Sequence, residues 1–186
     1  MKKFLFFIST LLLANQAFAA DQQPITSWKI DNSKSKIEYV AYQNGTKITG
    51  GFEKFSGEIN FDKDNLDKSK AIILVDMNSV TASLPEAPGM LKAEGWFGVK
   101  KFPTAEFRSD KFTKGSNNQF HINGTLTLKG IKVPVGVDFS FDEYSKNHAI
   151  AKGQVSINRL DFEVGKKDEN GVKDLVMVKF VITAKN

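Results

Sequence analysis

Residues 120–141 read FHINGTLTLKGIKVPVGVDFSF. Phe120, Ile122, Gly124, Leu126 and Leu128 fall on one parity, and His121, Asn123, Thr125, Thr127 and Lys129 on the other. Beyond Gly130 the pattern resumes with Val133, Val135, Val137, Phe139 and Phe141. Side chains of a strand point alternately to its two faces, so these runs are half-buried strands with Lys129-Gly130 as the turn between them. Asn123-Gly124 has the composition of a hairpin turn. It is read as mid-strand, because a turn there would break the five-member apolar series.

The same alternation extends in both directions. Ile37, Tyr39 and Ala41 alternate with Lys36, Glu38 and Val40, Ile59 and Phe61 flank Asn60, and Val176, Val178, Phe180, Ile182 and Ala184 share one parity near the end. Turn residues recur at Asn44-Gly45, 63–68, 115–118, 144–147 and Asn170-Gly171. Links this short cannot carry the helices of parallel crossovers, so the strands form an antiparallel meander. The one interruption is 82–103, ASLPEAPGMLKAEGWFGVKKFP. Pro85 and Pro88 favour a helix start, Met90 to Glu94 supply about two turns, and Gly95 ends them. The expectation is an all-β antiparallel barrel of about eight strands with a short helical insertion, a closure whose interior can hold one small ligand.

The first residues, MKKFLFFISTLLLANQAFAA, combine Lys2 and Lys3, a short apolar run and an A-x-A arrangement at Ala17 to Ala19. This is the pattern of a signal peptide over 1–19, too short for a membrane span. It predicts a single domain over 20–186 exported to the periplasm. Removing Lys2 and Lys3 lowers the net charge from +5 to +3. Lysines alternate with acidic residues along most segments, which excludes the one-sided basic face of a nucleic-acid module. The chain has no cysteine, so core burial rather than disulfides must hold it together.

Signatures of catalysis and of cofactors are missing. Both histidines, His121 and His148, fit surface positions, and no H-x-H or H-E-x-x-H spacing exists. Asp62, Asp64 and Asp67 resemble a calcium loop without its glycine and final glutamate. Neither a G-x-S-x-G elbow nor a P-loop is present. What stands out is aromatic content: 12 of the 16 phenylalanines lie beyond Ala19, with two tryptophans and three tyrosines. Composition leaves open whether these fill a solid core or line a hollow one.

Five segments in order carry a family likeness. WKIDNSKSKIEYV, ITGGFEKFSGEINFD, LKAEGWFGVKKFPTAEFRS, INGTLTLKGIKVPV and INRLDF resemble the successive motifs of the YceI-like family. The resemblance implies a lipocalin-like barrel in the periplasm whose cavity takes an amphiphile with a long apolar tail, such as a polyisoprenoid, an isoprenoid quinone or a fatty-acid derivative. Members of the family are often dimers, so a homodimer is an expectation, while the missing signatures noted above predict neither enzyme activity nor a cofactor. The Trp96-Phe97 form of the third motif, with NRLDFEVG, is similar to members found beside or fused to cytochrome b561 proteins, which points to a membrane cytochrome partner and a quinone-type ligand. Gly95 and Gly98 stand where many relatives carry aspartate, and Tyr42-Gln43 where many carry histidine, so polar head-group contacts through those positions do not transfer. Strand parity and this aromatic segment, read as a lid, give the candidate ligand-binding residues: Ile37, Tyr39, Phe52, Phe55, Ile59, Phe61, Leu74, Met90, Leu91, Trp96, Phe97, Phe107, Leu126 and Phe139. The alternative is a filled barrel that binds no ligand and acts by docking to a membrane redox protein.

Overall fold

The computed structural model describes residues 25–186; the signal peptide expected over 1–19 and the first residues of the domain lie outside them. The described strands are β1 (Ser27–Ile30), β2 (Lys36–Gln43), β3 (Thr46–Phe52), β4 (Phe55–Asn60), β5 (Lys70–Asp76), β6 (Val80–Ala82), β7 (Thr104–Lys114), β8 (Gln119–Leu128), β9 (Ile131–Tyr144), β10 (His148–Asn158) and β11 (Leu175–Lys185). Every pairing is antiparallel, in the order β1-β4-β5-β7-β8-β9-β10-β11-β2-β3-β6, with β1 also paired to β11.

Eleven segments make an eight-stranded closed barrel, because three strands are interrupted near their middles. β1 and β2 lie end to end along the same edge of β11, pairing Lys29 with Lys185 and Ile37 with Phe180. β3 runs into β4 through Glu53-Lys54, facing β2 and then β1. β5 and β6 likewise face β4 and β3 in turn. Two buried serines fill hydrogen-bonding gaps left by the breaks. The Ser35 hydroxyl donates to the Asp31 carbonyl at 2.8 Å and accepts from the Thr183 N–H at 2.9 Å. The Ser79 hydroxyl donates to the Asp76 carbonyl at 2.7 Å and accepts from the Lys54 N–H at 3.0 Å. An unpaired buried backbone group costs about 1–3 kcal/mol, so each serine makes its break tolerable.

Asn123-Gly124 lies within β8, paired to β7 on one side and to Gly136 and Val135 of β9 on the other. Glycine is required there by packing: a Cβ on Gly124 would stand 2.6 Å from the Phe107 ring and 2.7 Å from the Arg108 carbonyl. The insertion contains one helix, α1 (Ala87–Lys92), with proline in its first turn. It starts beside Pro88, as the prolines predict. It ends sooner than expected, at Ala93, whose extended backbone (ψ 160°) stops the helix two residues before Gly95.

One end of the barrel is filled by rings. Phe61 has five aromatic neighbours, Phe112, Phe120, Phe139, Phe141 and Tyr144, with ring centroids between 5.3 and 6.0 Å, and Trp28 packs in the same cluster. At the opposite end Trp96, Phe162 and Val164 form a second buried cluster, against which Met90 and Leu91 of α1 pack.

Candidate functional site

The centre of the barrel is hollow. An inner chamber of about 210 Å³ abuts the aromatic end, and every residue lining it is aliphatic or aromatic. An outer chamber of about 200 Å³ lies beneath α1 and the turn that follows. Ile37, Val75, Leu126, Ile157 and Val178 line both, so the two chambers meet at a common waist. The β pleat explains the uniform lining, since each strand sends alternate side chains inward.

Twelve of the fourteen candidate residues border this space. Ile59, Phe61, Phe107 and Phe139 line the inner chamber. Tyr39, Phe52, Met90, Leu91, Trp96 and Phe97 line the outer one, and Ile37 and Leu126 stand at the waist. Leu74 does not belong: its side chain is 37% exposed, while Ile73 and Val75 of the same strand face inward. The run Ala71 to Val75 is apolar throughout, so it carries no alternation from which to read parity. Phe55 is buried and pairs with Val75, yet it borders neither chamber.

Sequence reasoning passed over several lining residues. Trp28, Phe112, Ile122, Phe141 and Tyr144 all face the inner chamber; Ile122 and Phe141 lay in the alternating series and were legible there. Arg159 lines the outer chamber while only 4% exposed. Its one sequence signal was its place in the INRLDF segment.

Polar groups concentrate in the outer chamber. Tyr39 lies over Gly50, its cross-strand partner, and a Cβ there would overlap the ring. The Tyr39 hydroxyl donates to the Thr81 carbonyl at 2.8 Å, and burial pushes its pKa up to about 12. The Arg159 guanidinium donates to the carbonyls of Lys173 (3.2 Å), Val164 (2.7 Å), Lys166 (3.0 Å) and Val172 (2.9 Å), and stands 5.6 Å from the Trp96 ring. Those four acceptors all lie in the 164–173 loop, so one side chain shapes that loop from inside.

The loop and the α1 region form a two-part cap. The Gly165 N–H donates to the Gly95 carbonyl at 2.9 Å, and the Asn170 amide reaches the Met90 sulfur at 3.8 Å. Gln43 Nε2 donates to the Asn170 carbonyl at 3.0 Å, and the Asn44 N–H to the Gly171 carbonyl at 3.0 Å. Gly98 adopts φ +59°, which lets the chain reverse after Phe97.

The histidines stay outside. His121 Nδ1 lies 2.6 Å from Asp138, whose hydrogen bond raises the imidazole pKa. His148 Nδ1 lies 3.1 Å from Glu143. Among the described residues no group of three or more His, Cys, Asp or Glu side chains could hold a metal, and no helix is long and apolar enough to cross a membrane.

Comparison with known proteins places this barrel in a family. Residues 28–184 match the family model of the YceI-like domain. The chain belongs to the YceI-like family. A UPF0312 protein of Vibrio campbellii is 28% identical over 172 residues, covering 88% of this chain and 89% of that one. A UPF0312 protein of Pseudomonas aeruginosa is 26% identical over 168 residues, covering 84% and 86%. Among solved structures, Burkholderia cenocepacia BcnA superposes with a TM-score of 0.77 at 27% identity over 83% of this chain and 98% of its own. A polyisoprenoid binding domain from Saccharophagus degradans, implicated in plant cell wall breakdown, gives 0.68 at 17% identity over 85% and 97%. At that identity the likeness establishes the lipocalin-like YceI fold.

Proposed function

We propose that this YceI-like protein is a periplasmic binding protein that holds one long-chain amphiphile in its barrel, for transport, storage or sequestration. The tail is that of a polyisoprenoid, an isoprenoid quinone or a fatty-acid derivative. The observation that carries this reading is the two-chambered apolar cavity, whose inner half turns only carbon surface to the space, the Trp28 indole N–H being bonded to the Phe61 carbonyl. Burying a methylene contributes about 0.8 kcal/mol, so a tail of about 20 carbons has a gross driving force on the order of 16 kcal/mol, reduced by ordering and association costs. An exposed ion pair offers about 0–1 kcal/mol. Tail burial therefore sets affinity, and the polar groups of the outer chamber set orientation.

The twelve lining residues named above are the proposed contacts. The alternative, a filled barrel that binds no ligand and docks to a membrane cytochrome, finds no support in a hollow interior. Titrating delipidated protein with cis-parinaric acid tests the reading. One-to-one binding accompanied by quenching of tryptophan emission supports it; no binding by delipidated, folded protein overturns it.

A further inference from the structure

We infer that the outer chamber selects an amphiphile with a compact anionic head, carboxylate or phosphate, through the buried charge of Arg159. The inference rests on the amphiphile reading and adds to it the charge of the ligand. Arg159 borders the outer chamber and is 4% exposed. Among the described residues no carboxylate lies within 4.0 Å of its guanidinium. The carboxylates next to it in the chain are engaged elsewhere: Asp161 accepts from the Asn158 amide, and Asp174 from the Leu160 N–H.

Four backbone carbonyls satisfy four of the five guanidinium N–H donors, and one on Nη1 is uncommitted. Carbonyl dipoles lower the cost of burying the cation without neutralising it. An uncompensated buried charge is expensive, and proteins normally pair it. None of the described residues lining the chamber is an acid, so the natural counter-ion is one that arrives with the ligand. The aromatic filling at the far end of the barrel takes the tail terminus, and the polar groups of the cap end take the head. Gln43, whose Nε2 is held by the Asn170 carbonyl, and Tyr42 line the same, largely apolar chamber.

The test uses one tail with four heads: geranylgeranyl phosphate, geranylgeranoic acid, geranylgeraniol and its methyl ether, each titrated into the delipidated mature protein. A charge-assisted contact predicts that the wild type favours one or both anions over the alcohol by about ten- to a hundredfold. Whichever anion is preferred identifies the head as phosphate or carboxylate. Arg159→Gln should erase that preference, read as the ratio of anion to alcohol affinity, whatever the loosened cap loop does to binding of the alcohol itself, and Arg159→Lys should retain part of it. Equal binding of all four heads by the wild type overturns the inference and leaves the amphiphile reading standing. Equal weakening of all four in Arg159→Gln also overturns it, since the residue would then only shape the cap loop. Binding of none overturns both. Should Arg159→Gln fail to fold, the wild-type head series and Arg159→Lys still decide.

Discussion

Closing the waist of the cavity separates the contributions of its two halves. Leu126 lines both chambers and sits in β8 opposite Phe107 and Val133. In Leu126→Trp the indole would fill the waist and shut off the inner chamber, about 210 Å³ against 200 Å³ for the outer. About half of a 20-carbon tail, or ten methylenes, would lose its site, a gross loss of about 8 kcal/mol. Tails that fold back into the outer chamber recover part of this, so the expected loss is at least a thousandfold, about 4 kcal/mol. A tail of about 10 carbons fits the outer chamber alone and should keep its affinity within about threefold. Overpacking a filled core costs about 1–3 kcal/mol; here the ring enters empty space, so the urea midpoint of the delipidated protein should not fall. Competition against cis-parinaric acid reads both affinities. Unchanged long-tail binding would refute the reasoning, as would equal loss for both tails.

Further expectations follow from individual contacts. Gly124→Ala places a methyl group 2.6 Å from the Phe107 ring and should cost about 1–3 kcal/mol in urea unfolding; shortening the partner in Gly124→Ala/Phe107→Leu should make the double change cost less than the sum of the single ones. Trp96→Ala removes a ring that is 5% exposed and should cost about 3–5 kcal/mol, with faster release of bound lipid. Burial raises the Tyr39 phenol to about 12 from about 10 in the unfolded chain. Its contribution is therefore intact below pH 10 and is lost as pH rises toward 12, because the unfolded state ionises first. Melting temperatures over pH 9–12 should decline less steeply in Tyr39→Phe than in wild type; identical slopes would remove Tyr39 as the cause.

The long strands were legible because their alternation is uninterrupted. β8, β9 and β11 present their predicted parities, and the five-member series through Gly124 correctly overruled the Asn-Gly turn signal. Strand breaks were less legible. The interruptions at 31–35, 53–54 and 77–79 are set by hydrogen bonds of Ser35 and Ser79 to distant backbone, which no local pattern encodes. Leu74 was misplaced because an unbroken apolar run gives no parity, and Phe55 because inward parity does not guarantee a place on the cavity. Arg159 escaped notice for a related reason: its acceptors are backbone carbonyls of a loop, and carbonyls have no residue signature. α1 ends early because Ala93 turns extended while its N–H closes a last tight turn on the Met90 carbonyl, a local backbone stop that precedes the glycine signal at Gly95.

Mass spectrometry of organic extracts from natively purified protein decides whether the barrel carries an amphiphile. A lipid-holding barrel should yield a single class of long-chain isoprenoid, quinone or acyl species at near-stoichiometric level, and lose it in Leu126→Trp. Natively purified, correctly folded protein that yields no such species would contradict the amphiphile reading.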